Sequence, residues 1–229
     1  MPPQGATAYL ILPLAATEGC TSPLLMRYTG PKAKRCRAQG VNLYGSDKYD
    51  RILQKKPMGP GKSPRARRGK KSEFGTQLLE KQKVRNTFGL SEKQFRRYYR
   101  EALRSKAATG RRILELLETR LDNVLFRAGF AMTRMQSRQL ASHGLFLVNK
   151  HRTNVPSHMV SPGDIIEAHP RAAASALFPT VLAATEKRMP PAWLKVDPRS
   201  LRIEIMAVPS PEQFEQALDI QKVVELYSR

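Results

Sequence analysis

The sequence predicts an α+β fold, with helices in its N-terminal half and short strands after the middle of the chain. Apolar residues recur at three- and four-residue intervals over 91–104 and 113–125, which is the spacing of one face of a helix. Short apolar or alternating runs at 145–148, 165–168 and 201–205 have the length and pattern of strands. At 229 residues, the chain is long enough to bury a substantial core.

The best-defined helix of the N-terminal half is predicted over 91–104. Ser91 is placed to cap it, with Gln94 at the position that completes a capping box. Its apolar stripe consists of Phe95, Tyr98, Tyr99, Ala102 and Leu103. The aromatic rings are therefore expected in the core rather than stacked on bases. An earlier helix is expected to begin at Gly75-Thr76 and to end near Gly89.

The stretch from 113 to 144 predicts two further helices. The first is expected to run unbroken from Ile113 to Leu125, because its apolar positions share one stripe. Thr133 is placed to cap the second helix, with Gln136 three residues later as in a capping box. Gly144 supplies the left-handed residue that ends this helix.

A small antiparallel sheet is expected to follow the second helix. The apolar run 145–148 forms its first strand, and Asn149-Lys150 is expected to form a turn. Residues 165–168 form another strand, which enters after Pro162-Gly163, the pair that a type II turn requires.

The C-terminal part of the chain mixes helix and strand signals. Residues 171–188 are rich in alanine and predict a helix that is broken at Pro179. The alternation of apolar and charged residues over 201–205 predicts a half-buried strand. Pro211 is expected to begin a short helical stretch, and residues 223–227 close the chain.

The positive charge is concentrated in one part of the chain. The formal net charge is +21, and residues 26–112 hold 26 basic and 6 acidic side chains, so this segment carries nearly all of it. A field of this sign indicates a polyanionic partner. No run of about 18 apolar residues is present to span a bilayer. Nucleic acid is therefore favoured over a membrane.

Residues 27–73 are basic, rich in glycine and proline, and poor in apolar side chains, with the densest basic run at 65–71. One interpretation is a solvated charge run that is disordered by itself. The other is an extended arm that folds on RNA, because it buries too little apolar surface to offset its chain entropy. The two interpretations are compatible if the arm is disordered in the free protein and ordered when it is bound to RNA.

Several motifs resemble a known family. The sequences LETRLD at 117–122, TR at 133–134, SRQL at 137–140 and LVN at 147–149 resemble the RNA-binding domain named after small-subunit ribosomal protein four. Further stretches at 27–32, 80–85, 94–99 and 224–229 resemble the same ribosomal protein family, in the same order. The resemblance thus extends from Met26 to the end of the chain, and it is to the bacterial or organellar type without a zinc knuckle.

The resemblance implies a mainly helical N-terminal domain that is completed by the C-terminal tail. The RNA-binding module, two helices with a small antiparallel sheet, is an insertion in that domain. The expected units are an extension over 1–25, a basic rRNA-binding domain over 26–112, the module over 113–170, and a C-terminal segment over 171–229 that packs on the N-terminal domain. The first unit holds no Lys or Arg, and is interpreted as a disordered extension or as an upstream start that is not used.

The resemblance also implies a function. The family's members are structural constituents of the small ribosomal subunit that bind rRNA early in assembly and clamp a junction of rRNA helices. Expected partners are small-subunit rRNA, neighbouring proteins at the mRNA entry site and mRNA itself, with a role in translational accuracy and no membrane. The expected location is the small subunit in the cytoplasm, with an organellar ribosome as the alternative.

The candidate RNA-binding side chains are mainly arginines, because a guanidinium group bridges phosphate oxygens through two hydrogen bonds. In the N-terminal half the candidates are Arg27, Lys32, Lys34, Arg35, Arg65, Arg67, Arg68, Lys81, Lys83, Arg85, Arg96, Arg97 and Arg100. In the module they are Arg120, Arg134, Arg138, Gln139, His143, Lys150 and Arg152.

Three other classes of protein fit the sequence less well. Arg120-Leu121-Asp122 is similar to a catalytic motif of pseudouridine synthases that carry this module, but here it lies within a predicted helix, so no enzyme and no cofactor are predicted. A DNA-binding helix-turn-helix protein lacks evident base-reading residues in its second helix. A free-standing ribosome-rescue factor with the same module remains the nearest alternative.

No metal site is predicted. Cys36 stands where some relatives have a zinc-binding cysteine, but Ala33 takes the position of the partner thiolate. Tetrahedral zinc requires four ligands, and the neighbouring sequence offers none to complete the set.

Overall fold

The computed structural model describes residues 28, 30–61, 72–173, 177–185, 189–214 and 218–228. The helices of the N-terminal half are α1 (Lys32–Gln39), α2 (Asp47–Lys55), α3 (Glu73–Thr87), α4 (Glu92–Leu103) and α5 (Thr109–Glu118). Then come α6 (Leu121–Arg127), α7 (Arg134–Ser142), β1 (Phe146–Val148), β2 (His151–Thr153), β3 (Ile165–Ala168), α8 (Pro170–Ala173) and α9 (Leu177–Thr185). The chain ends with β4 (Leu194–Asp197), β5 (Arg202–Ile205), a 3-10 turn (Pro211–Gln213) and α10 (Ile220–Ser228). The predicted α+β class is confirmed.

Two apolar clusters organise these elements. The first, which we call the helical core, lies among α3, α4, α5 and α10, and includes Phe95, Leu117 and Val223. The second, the sheet core, lies between α6, α7 and one face of the sheet, and includes Phe146 and Ile203. All five residues are at most 1 % exposed, so each cluster excludes water as a protein interior does.

Helix α4 forms as its capping signals predict. The Ser91 side chain accepts a hydrogen bond from the Gln94 amide, and the Gln94 side chain accepts one from the Ser91 amide, which completes the capping box. Helix α3 begins two residues earlier than expected, because the Ser72 side chain caps it by accepting from the Gly75 amide. Gly75 therefore lies in the first turn and does not begin the helix.

The unbroken helix predicted over 113–125 is wrong. Helix α5 ends at Glu118, and Arg120 has an extended backbone (φ −69°, ψ 140°) before α6 begins at Leu121. The Leu121 amide donates to the His158 carbonyl over 2.8 Å, and Arg120 pairs with Met159 in an isolated antiparallel bridge. These long-range bonds outweigh the local periodicity and turn the chain between the two cores.

The five strands form one antiparallel sheet in the order β2-β1-β3-β5-β4. Strand β2 was not expected, because His151–Thr153 contains no apolar residue to reveal it. It is joined to β1 by Asn149 and Lys150, which both have positive φ angles (50° and 68°) as a tight hairpin turn requires. The type II turn predicted at Pro162-Gly163 is supported by the φ of +92° at Gly163 and by the bond from the Asp164 amide to the Ser161 carbonyl.

The C-terminal segment 171–229 does not pack on the N-terminal half as one unit. Strands β4 and β5 extend the sheet of the module, and Ile203 pairs with Ile166 of β3. Among the described residues of this segment, those that join the helical core come from the final part of the chain, which includes Phe214 and Val223. Pairing with a neighbouring strand gives the backbone N–H and C=O groups of β4 and β5 hydrogen-bond partners, which packing against the surface of a helix would not provide. The boundary expected between 112 and 113 stays a prediction.

Two further elements bear on the C-terminal predictions. Pro179 does not break a helix, because it lies in the first turn of α9, where its missing N–H is tolerated. Helix α10 returns to the helical core, and the Tyr227 ring stacks on Tyr99 with 4.6 Å between ring centroids. The Tyr227 hydroxyl donates to Glu92 Oε1 over 2.8 Å. Burial and this hydrogen bond raise the pKa of Tyr227.

Truncation of Ile203 tests whether β5 belongs to the sheet core. We expect Ile203→Ala to lower the free energy of unfolding by about 2–5 kcal/mol, because the side chain is fully buried and the residual cavity cannot collapse. Met206→Ala is the control, since Met206 follows the strand and is 57 % exposed, and a change within about 0.5 kcal/mol is expected. Urea denaturation measures both. Equal, small effects would contradict the placement of β5.

Candidate nucleic-acid interface

The exposed side of α4 carries a row of cations. Lys93, Arg97, Arg100 and Arg104 are spaced by four, three and four residues, which places them on one face of the helix, and Arg96 lies beside them. All five side chains are exposed. The opposite face is buried, so the core fixes the direction in which these cations point. We call these five residues the α4 basic face.

None of these five cations forms a salt bridge with another described residue. Their charge is therefore not neutralised by the neighbouring carboxylates that occupy other basic residues of this protein. Arg96, Arg97 and Arg100 were predicted from the sequence. Lys93 and Arg104 were not among the predicted candidates, although their spacing of four residues from Arg97 and Arg100 could have identified them.

A polar pocket of about 290 Å³ lies between the end of α7 and strand β2. It brings together His143 and Arg152, both of which were predicted site residues. Ser142 and Asn154 also line it and were not predicted from the sequence. Arg152 donates from Nε to the Gly144 carbonyl over 3.1 Å and from Nη2 to the His143 carbonyl over 3.3 Å. The guanidinium group is thus held against the carbonyl end of the helix, where a cation is favoured.

Gly144 makes this arrangement possible. Its φ of +63° favours glycine, and a Cβ atom at this position would lie only 2.8 Å from Arg152 Nε. The glycine that was predicted as the end of the helix therefore also leaves space for the guanidinium group. Gln139 on α7 and Lys150 in the hairpin turn are exposed.

Arg120 does not belong to any exposed surface, which corrects its prediction as an RNA contact. Its side chain is 1 % exposed and donates from Nε and Nη2 to both carboxylate oxygens of Asp122, over 2.9 and 2.6 Å. Its Nη1 atom donates to the Tyr98 hydroxyl over 2.7 Å. Burial opposes the charge, but the hydrogen bonds and the charge of Asp122 outweigh it, so the pKa of Arg120 is raised.

Arg134 and Arg138 lie at the edge of the same network and are only partly exposed. Arg134 donates to Asn123 Oδ1 over 3.0 Å, and its guanidinium carbon lies 5.0 Å from the Phe88 ring centroid. Arg138 Nη1 lies 3.6 Å from Asp122 Oδ2. Both arginines therefore contribute to the fold in addition to any contact with RNA.

The predicted cations of α3 are engaged by carboxylates. Lys81 and Arg85 each lie 2.9 Å from one oxygen of Glu92, and Lys83 pairs with Glu80 over 3.5 Å. Glu92 loses hydration on burial, but the hydrogen bonds from Lys81 and Tyr227 and the charges of Lys81 and Arg85 outweigh this cost, so its pKa is lowered. Glu92 thereby joins α4 to α3 and α10, and the paired cations of α3 are less available to bind RNA than the α4 basic face.

The remaining predicted cations lie near the N-terminus. Arg35 donates to Asn86 Oδ1 over 2.7 Å and stacks on Tyr28, with 3.4 Å from its guanidinium carbon to the ring centroid, so it ties α1 to the end of α3. Lys34 is exposed, whereas Lys32 is partly buried and lies 5.9 Å from the centroid of the Tyr44 ring. The other predicted cations of this region lie outside the described residues: Arg27, Arg65, Arg67 and Arg68.

Cys36 is fully buried in α1, and burial raises the pKa of its thiol. Among the described residues, no group of three histidine, cysteine or acidic side chains is arranged to hold a metal ion. In the same part of the chain, no helix combines the length and the apolar character that crossing a membrane requires.

Comparisons with known proteins identify the family. The model of the ribosomal protein S4/S9 N-terminal domain matches residues 27–118, and the model of the S4 domain matches residues 119–166. The small ribosomal subunit protein uS4 of Cutibacterium acnes is 46 % identical over 207 residues, which cover 90 % of this chain and the whole of that relative. The chain belongs to the uS4 family.

Other uS4 proteins agree over the same extent. The uS4 of Chlorobium phaeovibrioides is 40 % identical over 205 residues, and that of Akkermansia muciniphila is 45 % identical over 206 residues. Each alignment covers 90 % of this chain and the full length of the relative. The similarity therefore includes the N-terminal helices and the C-terminal return of the chain as well as the RNA-binding module.

Replacement of Arg120 separates a structural role from an RNA contact. We expect Arg120→Met to lower the free energy of unfolding by about 3–5 kcal/mol, because Asp122 would lose its bidentate partner in a buried site. The double variant Arg120→Met/Asp122→Leu should recover part of that loss. Arg104→Met on the α4 basic face should change it by about 0.5 kcal/mol or less. A stable Arg120→Met variant that only loses RNA affinity would show that Arg120 contacts RNA.

Substitution of Gly144 tests how Arg152 is positioned. Gly144→Ala and Gly89→Ala place alanine at the same φ of +63°, so each should cost about 1–2 kcal/mol of stability. A Cβ atom at Gly89 meets nothing within 4 Å, whereas at Gly144 it meets Arg152. Filter binding should therefore show weaker RNA binding for Gly144→Ala alone. In an Arg152→Ala background the Gly144 substitution should have no further effect on affinity, and an added loss there would contradict this account.

Proposed function

We propose that this protein is a structural constituent of the small ribosomal subunit that binds rRNA directly. The observation that carries the proposal is the full-length similarity to uS4 proteins, which are named as constituents of that subunit. The charge supports it, because nearly all of the net +21 lies in the segment that contains the α4 basic face.

The mechanism is neutralisation of phosphate charge by side chains held in a fixed geometry. The α4 basic face offers guanidinium groups free of salt bridges to described residues, and Arg152 offers another that two backbone carbonyls hold in place. A guanidinium group contacts two phosphate oxygens at once, which a lysine ammonium does less well. Duplex RNA presents its backbone and hides its bases in a deep groove, so recognition depends mainly on RNA shape.

The finer parts of the proposal follow from the family resemblance. The protein binds early in assembly and clamps a junction where several rRNA helices meet. It lies beside the mRNA entry channel with neighbouring small-subunit proteins, and it influences translational accuracy from that position. The ribosome concerned is that of a bacterial cytoplasm or, as the second candidate, of an organelle.

The alternative of a free-standing ribosome-rescue factor is not favoured. Such a factor shares the RNA-binding module, but the match to the ribosomal N-terminal domain covers residues 27–118 in addition. The relatives also align over their whole length with this chain. Sedimentation of the native protein with small subunits tests the choice, because a resident constituent stays with the subunit after a wash at moderate salt.

The salt dependence of rRNA binding tests the electrostatic mechanism. If about 6–10 phosphates are contacted, the affinity for a small-subunit rRNA transcript should fall by roughly 10³- to 10⁵-fold between about 50 and 200 mM salt. The triple variant Arg97→Gln/Arg100→Gln/Arg104→Gln should bind more weakly, with a salt slope that is shallower by up to about 3, because each lost phosphate contact removes about one unit.

Lys195→Gln is the matched control, because Lys195 is exposed on β4 and lies 3.5 Å from Glu204. It should leave both the affinity and the salt slope almost unchanged. All variants replace exposed side chains, so their thermal transitions should stay close to that of the parent protein. A salt slope that is equal in the triple variant and the parent would exclude the α4 basic face as a phosphate contact.

A further inference from the structure

Three distant parts of the chain line a second, open pocket of about 380 Å³. The connection between α1 and α2 contributes Asn42 and Gly45, and the segment before β4 contributes Met189 and Pro191. The third part is the region of α6 and α7. The pocket is within the size range of ligand sites, about 300–1,000 Å³. We call it the junction pocket.

Part of the lining of the junction pocket is apolar. It consists of Phe126, Met189 and Pro191. Met189 is 91 % exposed, so its side chain is accessible to a bound group. Phe126 is half-buried, and the Arg134 guanidinium carbon lies 4.6 Å from its ring centroid. A planar apolar group would find both an aliphatic and an aromatic contact here.

The lining also includes the guanidinium groups of Arg127 and Arg134, which internal contacts hold in place. Arg127 donates from Nε and Nη2 to the two oxygens of the buried Glu118 carboxylate, over 3.0 and 2.6 Å. Arg134 donates to Asn123 Oδ1 and stacks on Phe126. Because these contacts set the guanidinium planes before any ligand arrives, a ligand would not have to order them.

Asn42 helps to shape the pocket, but its side-chain amide is not available to bind a ligand. Its Nδ2 atom donates to the Ser46 carbonyl and to Asp50, and its Oδ1 atom accepts from the amides of Tyr44 and Gly45. These four bonds use the hydrogen-bonding capacity of the amide and hold the connection between α1 and α2 in place.

We propose that the junction pocket binds one unstacked nucleotide of the RNA. Its base lies against Phe126 and Met189, and its sugar and phosphate lie toward Arg127 and Arg134. A nucleotide unites a planar, stackable part with an anionic part, and aromatic rings and guanidinium planes are the surfaces on which unpaired RNA bases stack. The inference rests on the proposed function, and it adds to recognition of the RNA backbone a contact with a base that has left its helix.

Introduction of a negative charge at the mouth of the pocket tests the proposal. Met189→Asp should weaken binding of the full-length protein to a small-subunit rRNA transcript by about 5- to 100-fold, the range expected when one base loses its stacking contact. Met189→Leu should retain parental affinity, since it keeps an apolar side chain at this position. Met206→Asp is the matched control, because Met206 is an exposed methionine outside the pocket and carries the same change of charge.

A second measurement identifies the occupant. Ultraviolet crosslinking of the protein in assembled small subunits, followed by mass spectrometry, should find a nucleotide attached to a peptide that contains Phe126 or Met189. A crosslink from this pocket to another protein would overturn the proposal, because an acidic peptide would then be the occupant. Equal affinities of Met189→Asp and Met206→Asp, with a parent protein that binds rRNA tightly, would overturn it and leave the proposed function intact. Failure of the parent protein to bind rRNA would contradict both.

Discussion

The buried ion pair between Arg120 and Asp122 is the interaction on which the arrangement of this protein depends. Arg120 lies where α5 ends and α6 begins, and its third contact is the Tyr98 hydroxyl of the helical core. A charged pair whose residues are only 1 % and 5 % exposed is stable only when its hydrogen bonds are satisfied. The chain therefore turns at one defined point between the helical core and the sheet core.

Other contacts reinforce this junction. Glu118 at the end of α5 accepts from Asn123 and from Arg127, both on α6. Arg134 reaches from α7 to Phe88, a residue of the helical core. The Glu118 carboxylate thus orients Arg127, and two aromatic rings and the Asn123 amide orient Arg134. The junction connects the two cores through polar contacts, which specify geometry more sharply than apolar packing alone.

This junction has a consequence for RNA binding. The α4 basic face lies on a helix whose other side packs in the helical core. The pocket with Arg152 lies in the module that is built on the sheet core. Phosphates of a folded RNA lie at fixed separations, so cations on two elements bind them well only if the separation of those elements is also fixed. A rigid junction removes the ordering cost that a flexible linker would add to binding. The return of α10 to α3 and α5 adds a second connection that closes the helical core.

The sequence predicted what depends on local spacing. The capping box at Ser91 and the left-handed Gly144 follow from residues a few positions apart, and both appear in the structure. The predicted apolar stripe of α4 is buried at Phe95, Tyr98, Tyr99 and Ala102, but the prediction was wrong for Leu103, which is 54 % exposed. Arg120 was misassigned because its burial depends on Tyr98, 22 residues earlier, and on a backbone bridge to Met159. No local signal reports such contacts.

The pairing of strands in the sheet also depends on contacts that local sequence does not reveal. Strand β2 has no apolar side chain, and the pairing of β5 with β3 joins segments separated by more than thirty residues. The apolar alternation at Ile203 and Ile205 predicted a strand correctly, but its partner is set by tertiary packing. The charges of α3 were likewise visible in the sequence, whereas their pairing with Glu92 was not.

Native-state hydrogen exchange of the free protein is the most direct test of a rigid junction. The slowest amides of the helical core, such as that of Leu117, and those of the sheet core, such as that of Ile166, should exchange through one common opening with the same free energy and the same dependence on denaturant. If one core exchanges through an opening that leaves the other protected, the two cores are independent, and a junction that fixes their relative position is contradicted.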